Sequence, residues 1–191
     1  MTLPAITPPE LTTPRLLLRA MQDSDAEALF AVFCDPAVMR YWSTPPWPGL
    51  DHARRRIADD AAGHAAGEHL ALGIVRRADG QLIGRCTLFD RWPSCRRAQV
   101  GYGLAASAWG QGFATEAVGA LLDHGFDALD LNRVEADIDP RNTSSARTLE
   151  RLGFTREGLL RERWIVDGEA SDSAIYGLLR REWAARPQGL H

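Results

Sequence analysis

The chain contains no lysine: all 22 of its basic residues are arginine. That absence removes the Schiff-base lysine of pyridoxal chemistry and the P-loop lysine that binds nucleoside triphosphates. Cysteine is scarce too. Cys34, Cys86 and Cys95 are odd in number and lack Cys-x-x-Cys spacing, which fits reduced thiols in a cytoplasm rather than a disulfide framework. His52, His64, His69, His124 and His191 fall into no metal-ligand spacing, so no metal site is expected. There is no long apolar run and no basic leader over residues 1–10, so neither a signal peptide nor a membrane span is expected. A net charge of −3 leaves no basic footprint for nucleic acid. The arginine clusters at 54–56, 96–97 and 180–181 read as solvated faces.

What is present is ordinary for a globular protein: 45% hydrophobic and 25% charged residues in a chain of 191. That length makes one domain with a proper core. The expected division is a flexible lead-in over 1–10, a single domain over 11–182 and a C-terminal tail over 183–191. The patterning predicts a strand over 15–20, then a helix capped by Asp23 or Ser24 and running to about Cys34. Pro45, Pro46 and Pro48 bar a helix over 41–48, whose aromatics Tyr41, Trp42 and Trp47 either line a pocket or pin the loop. A second helix covers 51–66. Strands over 69–77 and 82–89 flank the hairpin signal Asp79-Gly80. A strand over 97–104 leads into a helix over 114–129, with Val118, Leu121, Leu122, Gly125 and Phe126 at helical spacing. A strand over 133–138, a short helix capped by Thr143 or Ser144 and ended by Gly153, and a hairpin over 156–179 complete the chain. No repeat or interdomain linker interrupts it. The sum is an α+β domain with a mostly antiparallel sheet and a βαβ step at its centre.

The most informative stretch is Trp109-Gly110-Gln111-Gly112-Phe113-Ala114-Thr115-Glu116, between the strand and the long helix. Two glycines at a strand-to-helix corner leave backbone N–H groups uncovered where a helix begins. Those groups lack partners and carry the positive end of the macrodipole, so the corner suits an anion such as a pyrophosphate. A dinucleotide fingerprint would need a third glycine at 115, where Thr115 stands.

These residues resemble the GCN5-related N-acetyltransferases (GNAT), in the branch of the RimJ/RimL ribosomal-protein N-terminal acetyltransferases. Four segments carry the likeness: residues 11–19 with Asp25 and Asp35-Pro36; Val100 to Leu104 with the glycine corner; Asn142 to Ser145 with Leu152-Gly153-Phe154; and the closing hairpin through Asp167-Gly168 and Asp172. The family opens its glycine motif with Gln or Arg, where Trp109 stands here. The resemblance implies the GNAT fold, a mixed, mostly antiparallel sheet of about seven strands with four helices and splayed central strands. It implies acetyl-CoA as donor, an amine as acceptor, and no nucleic acid or membrane partner. Cofactor contacts would come from Tyr102, Gly103 and Leu104, along which pantetheine pairs like an added strand, from Trp109, Gly110, Gln111, Gly112, Phe113, Ala114 and Thr115, and from Asn142. Ser145 would protonate the leaving thiolate, or else serve as a helix-start residue; the tyrosine that does this in many relatives has no clear counterpart here, where Arg147-Thr148-Leu149 occupies the helix. A homodimer through a helical face is left open.

The family often places a glutamate two residues before the Gly-Tyr pair, where this chain has Gln99. Glu135 is the candidate in its stead, with Asp137 beside it, and Glu116 reads as a carboxylate complementing the helix dipole. At about pH 7.5 an α-amine is roughly one-third neutral and a lysine amine about 0.1% neutral. The difference is worth roughly 3 kcal/mol of barrier. A site without its strand glutamate is therefore expected to take a low-pKa amine, most simply a peptide N-terminus. A small amine (amino acid, antibiotic or polyamine) or a non-catalytic acyl-CoA sensor are the alternatives.

Overall fold

In the computed structural model, which describes residues 4–186, one eight-stranded sheet runs through the molecule. In chain order the elements are β1 (Leu11–Thr12), β2 (Leu16–Arg19), α1 (Ala26–Phe33), α2 (Pro36–Met39), α3 (Leu50–Ala66), β3 (Leu70–Arg76), β4 (Leu82–Trp92), β5 (Arg97–Leu104), α4 (Phe113–Asp127), β6 (Arg133–Ile138), α5 (Thr143–Arg151), β7 (Thr155–Val166), β8 (Glu169–Leu179) and α6 (Arg180–Ala185). The strand order is β1-β2-β3-β4-β5-β6-β8-β7. Every neighbouring pair is antiparallel except β5 and β6, joined through α4. A parallel pair needs a crossover of this kind, because a tight turn reverses the chain.

Alternation along the strands sends apolar side chains to both faces. Leu70, Leu72, Ile74, Cys86, Leu88, Ala98 and Val100 pack with Val118, Leu121, Leu122 and Phe126 of α4 and Leu149 of α5. On the other face, Leu29, Val32 and Phe33 of α1 and Ile57 of α3 pack with Val75 and Leu82.

β5 and β6 pair over only three positions, Arg97↔Arg133, Ala98↔Val134 and Gln99↔Glu135. Past Gln99 they part, as the expected splay requires. The edge of β5 from Val100 to Leu104 is thereby open toward β6.

Several expectations are corrected. Among the described residues the strands number eight, because Leu11–Thr12 pairs with Leu17 and Leu18. The α-helices of the described residues number six, because Asp35 caps a short α2 through Ala37 N–H and the chain turns into α6. Neither Asp23 nor Ser24 caps α1: a single tight turn over 23–25 precedes it, and the Asp25 carboxylate folds back onto Arg19 and the Gln22 N–H. The cap of α5 is Asn142, not Thr143 or Ser144. The domain boundary expected at 182 falls inside α6, whose Trp183 is buried and bonds Asp123 through its indole N–H at 2.9 Å. In the lead-in, Ile6 is buried and its N–H donates to the His64 carbonyl at 2.8 Å. Residues 1–3 and 187–191, with His191, lie outside the described residues. Among the described residues no helix is long and apolar enough to cross a membrane.

Candidate active site

The glycine corner is a built structure. Gly110 and Gly112 sit at φ 73° and 80°, a left-handed conformation that glycine adopts without strain, and Gly112 starts α4. The first intrahelical bond there runs from Glu116 N–H to the Gly112 carbonyl at 3.1 Å, so the earlier N–H groups of the helix face outward without helical partners. The Trp109 indole N–H donates to the Leu104 carbonyl at 2.9 Å, tying the corner to the end of β5. Arg15 reaches the corner from β1–β2. Its guanidinium donates to the Gln111 carbonyl at 2.8 Å and lies 4.5 Å above the Phe113 ring. Glu116, only 3% exposed, accepts from Thr13 Oγ1 at 2.7 Å, Arg15 N–H at 2.9 Å and Arg15 Nε at 2.6 Å. Burial works to raise its pKa, yet these donors together hold it below the usual glutamate range. Glu116 is thus an anchor that fixes Arg15 and the helix start, and its part in the dipole is secondary. A positively polarised backbone cradle of this kind, open at Gly110 to Gly112, fits a diphosphate.

At the other end of the open β5 edge stands a hydroxyl pair. Tyr102 and Ser145 share a hydrogen bond of 2.8 Å between Oη and Oγ. Asn142 accepts from Ser145 N–H at 3.1 Å, which aims the first turn of α5 at Tyr102. Burial pushes the Tyr102 hydroxyl up to about 12, against the opposing hydrogen bonds from Ser145 and Thr148. Tyr102 thus stays protonated at neutral pH. The sequence placed Tyr102 only beside the pantetheine; its pairing with Ser145 depends on a contact 43 residues away that carries no local signal.

Tyr102, Asn142 and Ser145 border a cavity of about 490 Å³. Its floor follows from strand pairing. Arg85, Thr87 and Phe89 of β4 oppose Gly103, Gly101 and Gln99 of β5, so all six share one face, opposite the buried face that carries Ala98 and Val100. Its roof is the 41–48 loop and α1. Phe33 stacks on Trp47 at 4.8 Å and meets Trp42 edge-on at 5.3 Å. A Cβ on Gly103 would stand 2.9 Å from both Phe33 and Trp42, so glycine there lets the roof close. The loop's aromatics line the cavity and pin the loop at once.

Four aspartates line the cavity: Asp90, Asp137, Asp139 and Asp172. Asp137 is held by Arg163 at 2.8 Å and by Ser173, and Asp139 by Arg141 at 2.7 Å. Asp172 accepts the Glu162 N–H at 2.9 Å. Asp90 accepts from Gln99 Nε2 at 2.9 Å. Glu135, the candidate base, is corrected. Arg97 and Arg133 grip its two oxygens at 2.6 and 2.7 Å. Burial would raise its pKa, but the two guanidiniums hold it below the usual range. A carboxylate so committed is a poor proton acceptor. A second cavity of about 280 Å³ shares Tyr41, Trp42, Thr44, Asp139 and Ser171 with the first. Among the described residues no cluster of three His, Cys, Asp or Glu side chains is set to hold a metal.

A mixed sheet opened beside a glycine-cornered helix, with a hydroxyl pair in the opening, is the arrangement that the resemblance to the acetyltransferases implied. Residues 15–155 match the acetyltransferase (GNAT) domain model. The chain is 37% identical over 174 residues to p20, an uncharacterized N-acetyltransferase of Bacillus licheniformis, covering 91% of this chain and 98% of that one. It is 25% identical over 181 residues to the ribosomal protein uS5-alanine N-acetyltransferase of Escherichia coli, covering 91% and 92%. Its fold matches that of the spermidine N-acetyltransferase of Vibrio cholerae, solved with CoA and spermine, at a TM-score of 0.80 and 22% identity over 90% of this chain and 99% of that one. The chain belongs to the GNAT family of N-acetyltransferases.

Proposed function

We propose that this enzyme moves the acetyl group of acetyl-CoA to the N-terminal amine of a peptide or protein. The observation that carries the reading is the adjacency of the two cavities, which share five lining residues. An amine alone needs only the first. An extended chain rises about 3.3 Å per residue, and the second cavity gives its next residues a place against the 41–48 loop and the tip of the β7–β8 hairpin.

In this reading the N–H groups from Gln111 to Thr115 hold the diphosphate, with the Arg15 guanidinium alongside. The open edge of β5 from Tyr102 to Leu104 pairs with the pantetheine. Acetyl-CoA supplies an acyl group on a good leaving thiol. The Tyr102–Ser145 pair provides the hydrogen bond and the proton that a departing thiolate needs.

The four aspartates favour a second reading, a small polycation such as a polyamine. Against it, Asp137 and Asp139 already carry arginine partners, and Arg56 and Arg85 line the same cavity. The test is thiol release from acetyl-CoA with an Ala-initiated tetrapeptide, an N-blocked peptide with an internal lysine, and spermidine. The expected order puts the free N-terminus first. A tenfold preference for lysine or spermidine overturns the acceptor assignment, and binding of acetyl-CoA without release on any amine supports a sensor instead.

A further inference from the structure

We propose that Asp90 is the proton acceptor of the acyl transfer, and that Gln99 positions it. The proposal rests on the reading that an amine is acetylated in this cavity. Gln99 is the last residue of β5 that pairs with β6, so it stands where the splay opens. A glutamine there takes up no proton. The adjacent strand supplies the missing carboxylate.

β4 and β5 pair at Phe89↔Gln99 and next at Trp92↔Arg97. Asp90 and Arg91 therefore face the single residue Ala98, and the strand bulges. Asp90 takes φ 53° in that bulge, a left-handed value uncommon for a residue with a side chain. The conformation is held from both sides. Arg91 donates to the Gly67 carbonyl, although its own Nε is buried without a partner. Gln99 Nε2 bonds Asp90 Oδ2 at 2.9 Å and leaves the second carboxylate oxygen for the cavity that Asp90 lines. A strained residue kept in place at such cost, beside a reaction cleft, is a sign of use. Among the described residues Asp90 and Asp172 carry no arginine ion pair, whereas Glu135, Asp137 and Asp139 each do; of the two, it is Asp90 that Gln99 holds. Thr87, on the same face, has a buried hydroxyl without a hydrogen-bond partner in the cavity wall.

The two proton tasks thus fall on opposite faces of β5. Asp90 takes one proton from the acceptor ammonium. The freed nitrogen lone pair forms the bond to the thioester carbonyl carbon as the carbon–sulfur bond breaks. The thiolate receives a proton from the Tyr102–Ser145 pair, which regains one from the acetylated nitrogen, and Asp90 returns its proton to solvent. Ammonium and thioester give amide, thiol and one proton.

The test compares kcat/KM of the wild type, Asp90→Asn, Gln99→Ala and the double variant Asp90→Asn/Gln99→Glu between pH 6 and 9, with an Ala-initiated tetrapeptide. Acetyl-CoA affinity is measured alongside by calorimetry. Asp90→Asn is expected to lose roughly 30-fold or more at pH 6.5 with acetyl-CoA affinity unchanged. Its rate should then climb with the neutral fraction of the amine, so that the deficit shrinks to about threefold by pH 9, above the α-amine pKa. Gln99→Ala should show a smaller deficit of the same pH form. The double variant, with a carboxylate returned to the neighbouring position, should recover part of the activity at low pH. A deficit independent of pH, or under about threefold at pH 6.5, overturns the role of Asp90 while leaving acetyl transfer standing. No thiol release by the wild type with any amine overturns both.

Discussion

At the scale of single residues, the pair Tyr102–Ser145 sets a limit that its geometry alone would hide. A hydroxyl held up to about 12 by burial gives its proton uphill to a thiolate whose own pKa is roughly 8.5. Complete transfer from Tyr102 alone would cost about 5 kcal/mol, too much for the whole task. A hydrogen bond to the developing negative charge is worth about 1.5–3 kcal/mol, and the proton the pair gives up is replaced from the acetylated nitrogen, so no free tyrosinate has to form. Tyr102→Phe and Ser145→Ala should therefore each lower kcat by roughly 10- to 100-fold, with acetyl-CoA affinity nearly unchanged. Because the two hydroxyls act through one hydrogen bond, the double variant should lose little more than the worse single one. Steady-state kinetics on the four proteins decides it. Multiplying losses, or a loss under threefold for either single change, would show that the pair does not act as a unit.

At the scale of elements, what was legible in the sequence was local, and what was missed was cross-strand. Gly110 and Gly112 announce a corner because positive φ needs glycine, and the helix after them announces itself by Val118, Leu121, Leu122 and Phe126. The strand over 133–138 was read to the residue. By contrast β4 runs three residues past the expected end at Phe89, because a bulge carries it on to Trp92. The partner of Gln99 was hidden for that reason. Arg15 was likewise readable as a motif residue but not as the brace of a helix start 96 residues downstream. Glu135 looked available because its spacing hides the arginines at 97 and 133 that pairing brings alongside. The corner itself is open to test. Saturating acetyl-CoA at about 100 times its dissociation constant stabilises a folded protein by about 2.7 kcal/mol, or roughly 5–10 °C in Tm for a domain of this size. Gly112→Val puts a branched side chain at φ 80° and displaces the N–H row. It should cut acetyl-CoA affinity at least tenfold, about 1.4 kcal/mol, and shrink that thermal shift at the same ligand concentration. Gly49→Ala, at an extended position with open space around it, should keep the full shift. An undiminished shift in Gly112→Val would remove the diphosphate from this corner.

At the scale of the whole molecule, the enclosed charges make stability depend on pH in two separable steps. Asp25, Asp60 and Glu116 are the most deeply buried carboxylates, each with an arginine: Arg19 at 2.7 Å, Arg85 at 2.7 Å and Arg15 at 2.6 Å. Burial is the largest single influence on each and pushes upward, but the paired donors outweigh it and leave all three below the normal range. Their stabilisation is fully present above the unfolded carboxylate pKa of about 4 and is lost as pH falls through the lower folded values. His64 and His124 work in a different window. Burial lowers both, and His64 Nε2 lies 3.0 Å from the Ala71 nitrogen and 3.1 Å from the Ala71 carbonyl oxygen. Below about pH 6.5 the unfolded chain binds protons that the folded histidines refuse, so stability falls there too. Thermal unfolding followed from pH 8 to pH 3 should thus show a plateau, a shallow decline beginning near 6.5, and a steeper one below about 4. His64→Gln should start from a lower plateau and lose most of the shallow step, leaving the steep one in place. A profile that stays flat from pH 7 to 4.5 in the wild type would mean that the buried histidines protonate as readily folded as unfolded, and that the contact between α3 and β3 is looser than the Ala71 bond implies.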